Sequence, residues 1–108
     1  MKGKDISDRL RKFMERRGWI FRKSMGRYLL MERRGRVVIL LPIEGRRRVF
    51  IDEKLVERAL SIRDKLRRDR EMADAVIAAR IGRRWRFVLL TKSKKIKLDS
   101  KSSSNWYP

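Results

Sequence analysis

The chain of 108 residues is dominated by positive charge: it has 32 Lys and Arg against 13 Asp and Glu, a net charge of +19 and a sequence pI of about 11.5. It has no His and no Cys, which excludes imidazole bases, thiolate nucleophiles, disulfides and the usual zinc or iron–sulfur ligands. The content of 42% hydrophobic residues is enough for one core, and this length predicts one domain.

The apolar runs are too short to cross a bilayer as a helix, since the longest, over 37–43, falls well below the roughly 20 residues required. Residues 1–5 lead into charged sequence and not into a signal-peptide core, so we expect a cytoplasmic protein. The expected partner is nucleic acid. An anionic membrane is the weaker polyanion because no long amphipathic helix with a bulky aromatic face is present. No cofactor and no small-molecule substrate are expected.

Hydrophobic spacing in the first half of the chain predicts one helix and then a run of strands. Ile6, Leu10 and Met14 recur at the spacing of one helix face. The predicted elements are a helix over 5–17 and strands over 19–23, 27–33 and 36–43, with turns at 24–26 and 34–35. The continuous apolar sequence of the third strand is typical of a central strand covered on both faces, although Pro42 indicates that its end leaves the ladder.

The second half of the chain predicts a further helix between strands. The predicted elements are a strand over 47–51, a helix from 53 to about 68–72, and strands over 75–81 and 85–91. Asp52 is placed to cap the helix. The predicted fold class is α+β: one small domain in which two helices pack on a mixed sheet, in the order α-β-β-β-β-α-β-β.

Residues 92–108 are rich in Lys and Ser and have too few apolar residues to pack into a core. We expect residues 1–91 to form the basic nucleic-acid-binding domain and residues 92–108 to be an extended tail, so that truncation after Thr91 leaves folding intact and weakens RNA binding. Trp106 and Tyr107 are expected to stack on a base, insert into a groove or cap a protein neighbour. The aromatic residues of the strands are expected more often in the core than on a base-stacking surface: Trp19, Phe21, Phe50, Trp85 and Phe87.

The positive charge is concentrated in particular segments. Residues 1–36 carry 13 basic against 4 acidic residues, whereas residues 44–72 carry 10 against 7, spaced to pair on a helix. A charge-rich thermophile surface would carry both signs in similar number. Arg gathers in the turns, where its planar group can reach phosphates and stack on bases. The predicted contacts to nucleic acid are Arg16, Arg17, Arg22, Lys23, Arg27, Arg33, Arg34, Arg36, Arg46, Arg47, Arg48, Arg83, Arg84, Arg86, Lys92, Lys94, Lys95, Lys97, Lys101 and Trp106.

Several segments between residues 8 and 90 resemble the core of archaeal Holliday-junction resolvases, which have the restriction-endonuclease-like fold. They are the helix end at 16–19, the strand over 37–43, and the segments 49–57, 75–80 and 85–87. The resemblance implies an acid on one central strand and Glu-x-Lys on the next, which hold Mg²⁺. Here the first strand has no acid before Glu32 and the second reaches Glu44 only after Pro42, so we expect no metal site and no enzymatic activity.

The leading hypothesis from the sequence is a structural RNA-binding protein, specifically a small ribosomal protein of a thermophilic archaeon. Its partners would be ribosomal RNA and neighbouring ribosomal proteins, and it would be associated with the ribosome. Two alternatives remain. The order of elements is also similar to small single-stranded-DNA-binding proteins of hyperthermophilic archaea, which favours a free single-stranded or junction DNA-binding protein. The other is a degenerate Mg²⁺-dependent nuclease that depends on Glu32 and Glu44.

Overall fold

Two helices and seven strands make up the part of the chain that the computed structural model describes, residues 2–108, with side chains from Ile6 onward. Met1, part of the segment from which a cytoplasmic protein is expected, lies outside these residues. The elements are α1 (Lys2–Glu15), β1 (Ile20–Met25), β2 (Tyr28–Arg33), β3 (Arg36–Gly45), β4 (Arg48–Ile51), α2 (Glu53–Arg68), β5 (Met72–Ile81), β6 (Arg84–Leu89) and β7 (Ile96–Asp99). Neither α1 nor α2 is long and apolar enough to span a membrane.

The predicted α+β class and the order of the first eight elements are confirmed. Five strands form one sheet in the order β1-β2-β3-β5-β6, and β4 and β7 form a separate two-stranded ribbon. The neighbours β3 and β5 are parallel, and the other pairs are antiparallel. A parallel pair needs a crossover connection, and the segment that contains β4 and α2 supplies it.

β3 is the centre of the sheet, as its continuous apolar sequence predicts. Alternate side chains point to opposite sides: Ile39 packs in the core layer that contains α2, and Leu40 in the layer that contains α1. The pairing between β2 and β3 ends at Leu40, so Pro42 lies beyond it, where β3 continues beside β5 alone. Pro42 therefore lies outside the β2–β3 ladder, as predicted, but within the β3–β5 ladder.

The two helices cover opposite sides of the sheet. On one side Leu10 and Met14 of α1 are fully buried, and on the other side Val56 and Ala59 of α2 are. The predicted cap of α2 is confirmed, because the side chain of Asp52 accepts a hydrogen bond from the backbone N–H of Lys54 at 3.0 Å. The helices thus enclose two hydrophobic layers with the sheet between them.

Tyr28 ties the sheet to the second helix. It is buried, and its hydroxyl donates to the carbonyl oxygen of Leu55 at 2.7 Å. Burial raises the pKa of Tyr28, and the charges of Arg58 and Arg27 oppose this shift. The side chain of Tyr28 is therefore part of the core and not of the surface.

The C-terminal segment, residues 92–108, is packed on the domain, in contrast to the extended tail that its composition predicts. Its strand β7 pairs with β4, and Leu98 is buried in the α2 layer. At the end of β7 the carboxylate of Asp99 accepts the backbone N–H of Lys101, which lowers the pKa of Asp99. Two alternate apolar residues, Ile96 and Leu98, are too short a pattern to stand out in a Lys-rich sequence.

The end of the C-terminal segment runs along the free edge of β6. Ser104 accepts the N–H of Phe87 at 2.9 Å, the N–H of Asn105 donates to the carbonyl of Phe87 at 2.9 Å, and the Asn105 side chain accepts the N–H of Leu89 at 2.7 Å. These polar contacts replace the apolar packing that the sequence lacks. The opposite edge of the sheet, β1, has an irregular register between Phe21 and Lys23.

Candidate nucleic-acid interface

The hairpin between β2 and β3 presents three arginines at its tip. Arg33 pairs with Arg36, so the loop consists of Arg34 and Gly35, which both have positive φ values of 53° and 78°. This is the backbone of a two-residue hairpin turn that favours Asn and Gly. A side chain such as Arg costs about 1 kcal/mol in the left-handed region. The hairpin therefore holds a guanidinium at its tip at the expense of local strain.

Arg17 and Arg33 are held in place by aromatic rings and carbonyl groups. Arg17 lies over the ring of Phe13 at 3.5 Å and donates to the Phe13 carbonyl at 3.2 Å. Arg33 lies over the ring of Trp19 at 4.5 Å and donates to the carbonyl of Arg17 at 2.8 Å. Rings and carbonyls orient a guanidinium without cancelling its charge. Both side chains thus keep a full positive charge in a defined position.

Three open depressions meet around the carboxyl-terminal end of α1 and share these side chains. The first, of about 530 Å³, and the second, of about 300 Å³, share Arg33 and Arg34. The third, of about 590 Å³, shares Arg17 with the first and Tyr107 with the second. We call this surface the arginine face, defined by Arg17, Arg33, Arg34, Arg36, Arg80, Arg83 and Arg84.

The charge of the arginine face is not compensated within the described side chains, since no carboxylate among them lies within 4.0 Å of its guanidiniums. Two acids line the depressions, and both are paired elsewhere: Glu32 with Arg22 at 3.5 Å and Asp74 with Arg67 at 3.3 Å. The face therefore presents uncompensated positive charge that is complementary to an anion with several negative groups, such as a phosphate backbone.

The structure separates the other predicted contacts into several groups. Arg22 is ion-paired, because its guanidinium contacts Glu71 at 2.7 Å, and this hydrogen bond raises its pKa. The turn after β3 carries Arg46 and Arg47, Arg48 begins β4, and the exposed lysines of the C-terminal segment are Lys92, Lys94, Lys95, Lys97 and Lys101. Arg16, Lys23 and Arg27 are exposed outside the arginine face.

Sequence reasoning missed Arg80, which interrupts the apolar run of β5 and lies 5.6 Å from the ring of Trp85.

Arg86 and Trp106 make contacts within the protein, although sequence reasoning predicts both as nucleic-acid contacts. Arg86 is buried and donates to four backbone carbonyls, two of which, those of Ser100 and Ser102, belong to the C-terminal segment. Trp106 packs its indole against Trp19 at 5.7 Å and against Phe87 at 5.8 Å. Both side chains hold the C-terminal segment on the domain, while Tyr107 beside them is 76% exposed.

The metal site implied by the resemblance to resolvases does not fit the residues of this chain. The matching region of β2, residues 28–31, holds no acid, and the first acid within β3 is Glu44, beyond Pro42. Glu32 lies opposite Val37, and Glu44 is seven residues further along β3, about 23 Å at 3.3 Å per residue. The two glutamates therefore cannot share one ion. Within the described residues no three His, Cys, Asp or Glu side chains converge.

No protein-family model matches the chain, and no curated protein matches it. Among solved structures it is similar to Hjc, a Holliday junction resolvase from the archaeal hyperthermophile Archaeoglobus fulgidus. The TM-score is 0.72 at 16% sequence identity, over 93% of this chain and 85% of that protein. At this identity the likeness shows a shared fold.

This likeness corrects several expectations from the sequence. The hypothesis of a ribosomal protein, with ribosomal RNA and ribosomal proteins as partners, is contradicted by the likeness in fold to a Holliday junction resolvase. The same likeness contradicts the prediction of no enzymatic activity, because the similar protein is a resolvase. The resemblance to resolvases, by contrast, is confirmed at the level of the fold. Charge and composition alone could not separate these possibilities, since both kinds of protein bind a polyanion.

Proposed function

We propose that the protein binds branched DNA. The observation that carries this proposal is the resolvase fold over 93% of the chain, since the similar protein acts on a Holliday junction. The arginine face supports it. Rings and carbonyls orient two of its guanidiniums, those of Arg17 and Arg33, and these remain free of carboxylate partners and able to bind phosphate oxygens.

The arginine face acts through the phosphates and not through base edges. Each phosphate that it neutralises releases condensed counterions, so affinity falls with salt by a slope of about 0.9 per contact on duplex DNA. Arg33 and Arg34 project from a hairpin tip, and Arg83 and Arg84 lie at the hairpin between β5 and β6. Contacts from two separate hairpins can follow two duplex arms, which is a geometry that a linear duplex does not offer.

The test is a comparison between a four-way DNA junction and a linear duplex of the same length and sequence composition, measured by fluorescence anisotropy at several salt concentrations. We expect the junction to bind at least about tenfold more tightly, with a steep salt dependence for both. Equal affinity for the two DNAs would overturn the preference for branches. Weak binding with little salt dependence would overturn DNA binding altogether.

Cleavage of the same junction is a second candidate function, and the observation that favours it is the nuclease fold. No step is routed through a metal, because the two candidate carboxylates, Glu32 and Glu44, lie about 23 Å apart along β3 at 3.3 Å per residue and cannot share one ion. The experiment is incubation of the labelled junction with Mg²⁺ or Mn²⁺ and separation of the products on a denaturing gel. Divalent-dependent products would establish this function, and Glu32→Gln and Glu44→Gln would then show whether either carboxylate takes part.

A further inference from the structure

Phe50 projects into solvent from the ribbon formed by β4 and β7, with 67% of its side chain exposed. Its neighbours Val49 and Ile51 point inward and are buried, so the alternation of the strand leaves the ring outside. An exposed ring gives up the hydrophobic stabilisation that burial would provide. The strand already supplies the core with two apolar residues, so the fold does not require a third.

Positive charges flank the exposed ring. The ammonium of Lys97, directly opposite in the ladder, lies 5.7 Å from the ring centroid, and the guanidinium of Arg48 lies 6.0 Å from it. Lys95 and Ile96 line an open depression of about 420 Å³ beside the ring. An aromatic surface with cations on more than one side is the arrangement that recognises single-stranded nucleic acid.

The acids near the ribbon are occupied by the backbone. Asp52, which lines the depression, accepts the N–H of Lys54 at the start of α2. Asp99, opposite Arg48, accepts the N–H of Lys101 at 2.9 Å and lies 3.3 Å from the hydroxyl of Ser102. Their carboxylates therefore cap backbone groups instead of neutralising the cations around Phe50, and the local charge complements a phosphate chain.

We propose that the surface formed by Arg48, Phe50 and Lys97 is a stacking site for an unpaired base of single-stranded DNA. This inference rests on the proposed DNA binding and adds to it a second surface. The ribbon packs in the core layer of α2, whereas the arginine face surrounds the end of α1. Branched DNA contains duplex arms and, when its centre opens, unpaired bases. The arginine face would then contact the arms, and the surface around Phe50 would contact an unpaired base.

The test measures binding of a labelled oligo(dT) 20-mer and of the four-way junction to Phe50→Ala and Phe50→Trp variants. Loss of one stacked base is expected to weaken oligo(dT) binding by about tenfold in Phe50→Ala, with an unchanged salt slope, because no phosphate contact is removed. Phe50→Trp should retain or strengthen binding. The matched control is Met25→Ala, since Met25 is an exposed apolar side chain, 38%, at the end of β1 and lines none of the depressions of the arginine face. It should leave oligo(dT) binding unchanged.

Charge variants separate stacking from electrostatics. Arg48→Gln and Lys97→Gln should each lower the salt slope for oligo(dT) by about 0.7, in contrast to Phe50→Ala. The inference is overturned if Phe50→Ala binds oligo(dT) like the unmodified protein, or if oligo(U) binds more tightly than oligo(dT). If oligo(dT) binding depends on Phe50 but the junction is not preferred over linear duplex, the proposed function fails and the stacking site stands.

Discussion

The arginine face and the outer surface of α2 are both rich in arginine, yet two of the α2 arginines are ion-paired, whereas none on the arginine face has a carboxylate partner among the described side chains. On α2, Arg63 lies 2.8 Å from Asp64 and Arg67 lies 3.3 Å from Asp74. On the arginine face, Arg17 and Arg33 are held by rings and carbonyls that leave their charge intact. The number of arginines therefore does not identify a binding surface, whereas the groups that hold each guanidinium do.

Removal of the C-terminal segment should have the largest effect. The segment lines two of the three depressions on the arginine face, whereas it takes no part in the α2 ion pairs described above. Truncation after Thr91 removes the buried Leu98, the packed Trp106 and two carbonyls that accept from Arg86. Leaving a buried cation short of partners adds to the loss of packing, and we expect about 5 kcal/mol or more of destabilisation, comparable with the whole stability of a small domain.

Urea or thermal unfolding followed by circular dichroism would measure this loss. Tyr107→Ala is the control, since its side chain is 76% exposed, and it should unfold like the full-length protein. A truncated chain that unfolds at the same midpoint as the full-length protein would contradict the packed position of the C-terminal segment and would restore the extended tail expected from composition.

Neutralising the two surfaces in turn tests the comparison directly. Arg33→Gln, Arg34→Gln and Arg36→Gln combined should lower affinity for the junction by about a hundredfold at low salt and reduce the salt slope by as much as about 3. The matched variant on α2 removes the same charge, with Gln in place of Arg58, Lys65 and Arg68. It should change affinity by less than about threefold, because only the long-range field changes. Equal losses in the two triple variants would show that net charge alone drives binding.

The strained hairpin tip gives a prediction in which stability and binding move in opposite directions. Arg34→Asn should raise the free energy of unfolding by about 0.5 to 1 kcal/mol, because Asn tolerates the positive φ better, and should weaken junction binding several-fold. Arg70, after α2, also has a positive φ, 65°. Arg70→Asn should therefore stabilise the fold equally while leaving binding intact. Urea unfolding and anisotropy on both variants would decide this, and parallel behaviour of the two would remove Arg34 from the interface.

The smallest effect is expected at Arg22, which sequence reasoning places among the DNA contacts. Because Glu71 and Glu32 already compensate its charge, Arg22→Gln should change junction affinity by less than about twofold and stability by at most about 1 kcal/mol. Arg17→Gln, which removes an uncompensated charge, should weaken binding several-fold. A loss at Arg22 as large as that at Arg17 would mean that ion pairing inside the protein does not decide which arginines bind.

Sequence periodicity predicts most of the fold, because α1, α2 and the strands around β3 each bury a face whose spacing is visible in the chain. The ribbon is different. Val49, Phe50 and Ile51 are all apolar, so the sequence cannot say which side faces the core until β7 is known to pair with them. The arginines at the hairpin between β2 and β3 are predictable from the turn, whereas Arg80 becomes visible only when β5 is placed beside the end of α1.

The two edges of the main sheet are protected in different ways, and this bears on aggregation. A free edge strand offers unpaired N–H and C=O groups to another chain. Along β6 these groups are taken by Ser104 and Asn105, and along β1 the irregular register between Phe21 and Lys23 interrupts a straight run beside charged side chains. Strand addition is therefore hindered at both edges, and loss of the C-terminal segment would open the β6 edge to it.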